Sequence, residues 1–269
     1  MWWRTFWRNH RKISVIDNSI AFCGSQNCAD PEFRVAARFA PWVNILLRCE
    51  GPVVRQAQHL FLSTWIAETG EPIESLVSAA PAAEAFAPGV VAQMCGTGPT
   101  TAGNAMSNMF VATLYAAQEL IITTPYFVPD EALLRALCAA PRRGVRTVLV
   151  LPTRNKSKLV GAACYSTYAP LLAAGVEIYE YPLGLLHTKS ITADRQIALV
   201  GSANMDRRSL QLNFENNLVI DDAATSATIR ERQLGYVSVS QRVALDTARR
   251  WPFGRRLVQN AIGMMAPVL

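Results

Sequence analysis

An α/β fold, a sheet sandwiched between helical layers, is predicted by three observations. Apolar positions alternate at the strand period of two in some segments and at the helical period of 3.6 in others, with glycines between them. The 269 residues are 51% apolar and 17% charged, enough to bury a sizeable core and too apolar for an intrinsically disordered chain. One stretch of sequence also occurs twice, at 10–27 and 187–204.

Residues 13–16 and 20–23 read as two strands across the turn Asp17-Asn18-Ser19. Residues 43–47 read as another strand and 53–68 as a helix. The stretch 70–88 is rich in Ala, Pro and Glu without periodicity and reads as a linker. A regular block follows: strand 90–95, helix 105–118, strand 120–124, helix 130–140, strand 145–151 after Gly144, helix 158–173 and strand 176–181 after Gly175. Strands 188–192 and 197–200 flank Asp194, and 217–220 is the last. The expected organisation is a partial first lobe over 1–80, a second lobe over 91–245, and a basic amphipathic tail over 246–269.

Composition narrows the function. The chain carries 26 Lys+Arg against 20 Asp+Glu, a net charge of +6, concentrated at Arg4, Arg8, Arg11 and Lys12 and at Arg249, Arg250, Arg255 and Arg256. Such an excess suits an anionic partner: nucleic acid, an acidic lipid surface or a phosphate ester. The six cysteines form no C-x-x-C pair and read as buried, reduced thiols in a cytosol-facing protein. The three histidines, His10, His59 and His187, do not fit zinc spacings, so neither a metal nor a cofactor is expected. No apolar run is long enough to span a bilayer and no secretory signal opens the chain.

The duplication carries the chemistry. HRKISVIDNSIAFCGSQN and HTKSITADRQIALVGSAN match without gaps at 8 of 18 positions, including His10/His187, Lys12/Lys189, Asp17/Asp194, Gly24/Gly201, Ser25/Ser202 and Asn27/Asn204. His and Lys two apart at a strand start point to one face, the Asp falls at the turn, and Gly-Ser-x-Asn ends the next strand. Brought together, the copies supply two imidazoles, two ammonium groups, two hydroxyls and two carboxamides. Lys would neutralise a phosphate, Ser and Asn would donate to its oxygens, and the histidines would divide the roles of nucleophile and general acid.

This pattern resembles the duplicated catalytic motif of the phospholipase D superfamily, and the flanking blocks resemble its bacterial cardiolipin synthase branch. Those blocks are Asn9-His10-Arg11-Lys12, Arg48-Cys49-Glu50-Gly51-Pro52, Thr123-Thr124-Pro125-Tyr126-Phe127-Val128-Pro129-Asp130, Ala173-Ala174-Gly175-Val176-Glu177-Ile178-Tyr179 and Leu212-Asn213-Phe214-Glu215. The resemblance implies a phospholipase D-like α/β/α sandwich of two pseudo-repeated lobes. It also implies a metal-free phosphatidyl transfer in which phosphatidylglycerol gives a phosphohistidine and glycerol, and a second phosphatidylglycerol then takes the phosphatidyl group to give cardiolipin. The implied catalytic set is His10, Lys12, Asp17, His187, Lys189 and Asp194, supported by Ser25, Asn27, Ser202, Asn204 and Glu215. His10 is assigned as nucleophile and His187 as acid/base, though the sequence alone does not order them. Glu215 is expected to orient the second histidine. The implied setting is the cytoplasmic face of a bacterial inner membrane, with phosphatidylglycerol and the anionic lipid surface as partners and no nucleic acid.

Two departures stand out. Asn44 occupies a position where the branch usually has Asp, and would hydrogen-bond the first histidine without the charge that stabilises an imidazolium. Only nine residues precede His10, against about 96 between Val91 and His187, so the first lobe is expected to be incomplete, as in an N-terminally shortened synthase completed, if at all, by a homodimer or partner chain. The tail, and Trp2, Trp3 and Trp7, read either as membrane-surface anchors or as parts packed on the core. Rival readings are a phospholipase D-type nuclease or phosphodiesterase, and an inactive fragment.

Overall fold

The computed structural model describes residues 7–28, 39–73, 75–78, 88–101, 105–115, 118–155 and 157–264. Arg4, Trp2, Trp3, Met265 and most of the linker lie outside the described residues, as do the side chains of Arg249, Arg255 and Arg256.

The principal sheet has nine strands. Its centre is parallel: Glu119–Thr123, Arg146–Pro152 and Glu177–Tyr181 run side by side. Helix Glu131–Arg142 forms the first crossover, and helices Lys158–Ser166 and Tyr168–Ala174 form the second. Arg146–Pro152 is buried at every position after the first, which a strand covered on both faces requires. Antiparallel strands extend the sheet through Ser190–Ala193, Ile197–Gly201 and Asn213–Asp221. Both Val91–Thr97 and the short Arg8–Asn9 pair with the far side of Asn213–Asp221.

A second, three-stranded antiparallel sheet is made of Ile13–Ile16, Ile20–Gly24 and Leu46–Glu50. Its buried Ala21 and Cys23, with Ile45 and with Val54 and Ala57 of helix Val53–Thr69, pack on Met94, Ala198, Val200, Leu218 and Ile220 of the large sheet. Helix Ala223–Ser238 covers Ile121, Val148 and Val150 on the same side through Tyr236, while helices 105–115, 131–142, 158–166 and 168–174 close the opposite face.

Helix starts follow the capping rule. Asp130, Ser157, Asp206 and Asp222 each accept a backbone N–H three residues on, at 2.8, 3.3, 2.7 and 2.7 Å. Three expectations need correcting. The helix expected over 158–173 is two helices meeting at Thr167. The strand expected over 43–47 is two short pieces, Trp42–Val43 and Leu46–Glu50, because Asn44 and Ile45 leave the ladder to serve Ser25. Helix Ala223–Ser238 was not foreseen, because its buried face includes Ser226 and Gln233. Gln233 takes a hydrogen bond from Thr192 Oγ1 at 2.6 Å and donates to the Ile121 carbonyl at 3.0 Å.

Of the two readings of the tail, the structure shows helix Phe253–Met264 packed on the second lobe. Ile262 rests on Val128 and Ala163, and Trp251 stacks edge-on against Tyr165 with ring centres 5.3 Å apart. No helix among the described residues is long and apolar enough to cross a membrane.

Candidate active site

The two copies meet across the interface between the sheets, and each histidine is held by the other copy's partner strand. Arg8–Asn9 pairs in parallel with Asn213–Phe214, and the His10 N–H donates to the Phe214 carbonyl at 2.9 Å. Leu185–Leu186 pairs in parallel with Trp42–Val43, and the His187 N–H donates to the Val43 carbonyl at 2.9 Å. The residue following each of those carbonyls reaches the imidazole. Glu215 accepts from His10 Nδ1 at 2.9 and 3.0 Å, and Asn44 Oδ1 accepts from His187 Nδ1 at 2.8 Å. The expected pairing is therefore exchanged: Glu215 orients the first histidine and Asn44 the second.

The serines repeat this symmetry. The Ser25 N–H donates to the Ile45 carbonyl and the Ser202 N–H to the Asn216 carbonyl, both at 2.8 Å. Each serine Oγ accepts the N–H of the same residue, Ile45 or Asn216, at 3.0 Å. Each hydroxyl then donates to the orienting side chain, Ser25 to Asn44 Oδ1 at 3.3 Å and Ser202 to Glu215. Both serines are fully buried, so they fix the groups that hold the histidines and do not present hydroxyls to a phosphate.

The lysines are matched as well. Lys12 Nζ donates to the His10 carbonyl at 2.7 Å and Lys189 Nζ to the His187 carbonyl at 2.8 Å. Asn27 is exposed. Asn204 is buried, donates to Ser209 Oγ at 3.3 Å, and leaves Oδ1 without a partner among the described residues. Asp17 and Asp194 do not join this cluster. Each begins a tight turn with φ of 50° and 54°, followed by Asn18 at 53° and Arg195 at 59°. These turns close the far ends of the hairpins that begin at the lysines. Asp194 accepts the N–H groups of Gln118 and, at 2.9 Å, Glu119, fixing the start of the neighbouring strand. Their expected catalytic role is corrected to a turn-forming one.

Comparison with known proteins gives the chain's relatives and its fold. Residues 112–233 match the family described as cardiolipin synthase, PLD-like domain. The chain is similar in sequence to bacterial cardiolipin synthases. It is 42% identical to cardiolipin synthase A of Cronobacter sakazakii over 97% of this chain and 54% of that protein, and 41% identical to that of Klebsiella pneumoniae over the same shares. It thus spans about half the length of the curated relatives it matches. Among solved structures, phosphatidylserine synthase from Haemophilus influenzae superposes with a TM-score of 0.66 at 15% identity, covering 98% of this chain and 72% of that one. Nuc from Salmonella typhimurium, a phospholipase D family member, gives 0.50 at 17% identity, covering 57% of this chain and 98% of that one. The fold is that of the phospholipase D superfamily.

Charge burial sets the electrostatics of the site. Desolvation, then the neighbouring Lys189, Lys12 and His10, push His187 well below the ordinary histidine value. Burial and the nearby Lys12 likewise hold Lys189 far below an ordinary lysine. Burial lowers Lys12 to about 8, against the opposing pull of Glu215. Burial alone would raise the Glu215 carboxyl, but hydrogen bonds from His10, Ser202 and Asn213 together with the His10 charge bring it below the usual range. The site thus gathers basic side chains whose protonated forms an incoming anion would favour.

Two participants gave no sequence signal of their role. Arg11 ties the site's rear wall together: Nε donates to the Glu215 carbonyl, and the terminal nitrogens donate to the Leu60 and Thr97 carbonyls, all at 3.2 Å. In the other copy its place is taken by Thr188, so the repeat does not mark it. Asp206 is a half-buried residue whose carboxyl is raised by desolvation, and it is close enough to Lys189 to oppose that lysine's lowering. It aligns with Ala29 in the first copy. No group of three or more His, Cys, Asp or Glu side chains among the described residues is placed to hold a metal ion.

Proposed function

We propose that this chain carries a phosphatidyl-transfer site that makes cardiolipin from two phosphatidylglycerols. The observation that carries the reading is the crossed pairing of two His–Lys units, each histidine oriented through Nδ1 and so left with Nε2 for chemistry. His10 is the nucleophile: its side chain is 22% exposed, and Glu215 is positioned to balance the positive charge the ring gains as Nε2 bonds to phosphorus. Glycerol leaves with a proton from His187 Nε2. His187 then takes the proton from the glycerol hydroxyl of a second phosphatidylglycerol as that oxygen attacks phosphorus and the bond to His10 breaks. Lys12 and Lys189 balance the phosphoryl charge. The Lys and His residues lowered by burial recover their protons when the phosphodiester anion enters. The site is proposed to work at the cytoplasmic face of a bacterial inner membrane, where the outward Phe253, Leu257 and Val258 of the tail helix, all more than half exposed, would meet lipid.

The test is turnover on radiolabelled phosphatidylglycerol liposomes. The parent chain is expected to release glycerol and form cardiolipin. His10→Ala is expected to form no labelled phosphoenzyme, whereas His187→Ala, lacking the acid for glycerol departure, forms it only slowly and does not pass it on to a second lipid. Label retained in His10→Ala and lost in His187→Ala would exchange the two roles, and no glycerol from the parent would sink the transferase reading for this chain.

Asn44 makes a pH prediction. Because His187 must start protonated and its proton affinity is depressed, transfer should fall as pH rises through the low titration of that ring. A carboxylate in place of the Asn44 carboxamide favours the imidazolium, so Asn44→Asp should move this falling limb upward by about one pH unit or more. A limb that stays put in Asn44→Asp would show that His187 is not the acid.

A further inference from the structure

Beside the histidine site lies a cavity of about 330 Å³ that none of the steps above uses. Its apolar lining includes Leu151, Cys164, Tyr165 and Tyr168, and its polar lining includes Asn155, Ser157, Lys158 and Gln259. Strand pairing fixes its place. Ser190 lies opposite Thr123, so Lys189 and the cavity residue Pro125 leave the sheet at one edge. Thr123 in turn pairs with Val150, immediately before the cavity residues Leu151 and Pro152. The two strands whose ends line the cavity are thus one and two strand spacings, roughly 5–10 Å, from the Lys189 strand.

Two independent features of the cavity point to an anionic, hydroxylated ligand. The nine-residue helix Lys158–Ser166 begins at its wall, where Ser157 Oγ takes the Val160 N–H, the Lys158 and Leu159 N–H groups have no partner within the helix, and Lys158 stands exposed. A second lining residue, Gln259 of helix Phe253–Met264, is only 5% exposed and has no side-chain hydrogen bond among the described residues. Two neighbouring polar groups are already committed: Tyr168 donates to Glu180 at 2.9 Å and Asn155 Nδ2 to the Pro125 carbonyl at 3.4 Å. A buried carboxamide that lines a cavity without a partner is the kind of group a ligand satisfies.

We propose that this cavity receives the phosphodiester of the acceptor lipid, with the helix N-terminus and Lys158 on its phosphate and Gln259 on a glycerol oxygen. The inference rests on the transferase reading. Cardiolipin carries two phosphodiesters joined by one three-carbon glycerol bridge. When the acceptor hydroxyl meets the phosphorus on His10, the acceptor's own phosphate must therefore lie a short bridge away. A second anion site a strand or two from the lysines fits that requirement, whereas hydrolysis by water needs none.

The test uses glycerophosphoglycerol, the water-soluble headgroup, titrated calorimetrically into the full chain. Two sites per chain are expected, one of which is lost in Gln259→Leu. Should that variant fail to fold, Gly161→Met replaces it: a Cβ at Gly161 meets only the Asn155 Cβ, at 3.4 Å, and the longer side chain then fills the cavity. On phosphatidylglycerol vesicles either variant should divert the intermediate to water, raising the ratio of phosphatidic acid to cardiolipin about five-fold or more. A single site in the parent, two sites indifferent to both variants, or an unchanged product ratio would overturn the proposal. Inorganic phosphate binding the cavity as tightly as the headgroup would overturn the acceptor assignment and leave an anion site. Two headgroups bound with no glycerol released from vesicles would instead count against the transferase reading.

Discussion

Glu215→Gln is expected to lower the proposed phosphatidyl transfer by roughly 10²- to 10⁴-fold, as when the group that orients a catalytic imidazole loses its charge. Glu215 is fully buried and serves three donors: His10 Nδ1 on both oxygens, Ser202 Oγ on one, and Asn213 Nδ2 at 3.0 Å on the other. A carboxamide offers one accepting oxygen, so its NH₂ must face at least one of these donors. If it faces His10, the ring proton moves from Nδ1 to Nε2 and the lone pair needed for attack is gone. If the amide oxygen stays on His10, either Ser202 or Asn213 is left facing a donor inside the core, a cost of about 1–3 kcal/mol. Both outcomes also remove the charge that balances a phosphorylated ring. The measurement is the rate of glycerol release beside a denaturant melt, and release within two-fold of the parent would mean that Glu215 does not hold the nucleophile.

The same pairing explains what the sequence shows and what it hides. His10, Lys12, Gly24 and Ser25 recur as His187, Lys189, Gly201 and Ser202 because each copy needs the same hairpin and the same hydrogen bonds from it. Strands in the second lobe were legible because buried parallel strands read as continuous apolar runs, as in Arg146–Pro152. The partners of the histidines were misassigned because they pair across copies: Asn44 lies nineteen residues after Ser25, whereas Glu215 lies thirteen after Ser202, so no fixed spacing links motif to orienter. Asp17 and Asp194 recur for a different reason, since both begin turns at positive φ, which Asp and Asn tolerate better than most residues. Recurrence marked what the duplicated fold requires, and only part of that is chemistry. Ser25 and Ser202 show the same distinction, being duplicated and buried and bonded to the orienting groups.

Gly201→Ala is the second change expected to have a large effect, and it acts through the backbone. A methyl at Gly201 would stand 2.2 Å from the Asn216 carbonyl oxygen, 2.2 Å from Asn217 Oδ1 and 2.6 Å from the Asn217 Cα. Two of these are main-chain atoms of the partner strand, held in register by the pairing of Gly201 with Asn217, so no side-chain rotation relieves the clash. The strands must separate, and overpacking of this kind costs about 3 kcal/mol or more. The displacement also falls on the bonds that matter most. Ser202 donates its N–H to the Asn216 carbonyl at 2.8 Å and its hydroxyl to Glu215, so moving either strand loosens the carboxylate that holds His10. Gly235 supplies the control: it lies in helix Ala223–Ser238 with nothing within 4 Å of an added methyl, so Gly235→Ala should be neutral or stabilising by up to about 1 kcal/mol. Urea unfolding of both variants decides it. A Gly201→Ala midpoint equal to the parent's would show that the two strands can part without cost, and the close approach that places Ser202 against Glu215 would then not be what makes glycine necessary.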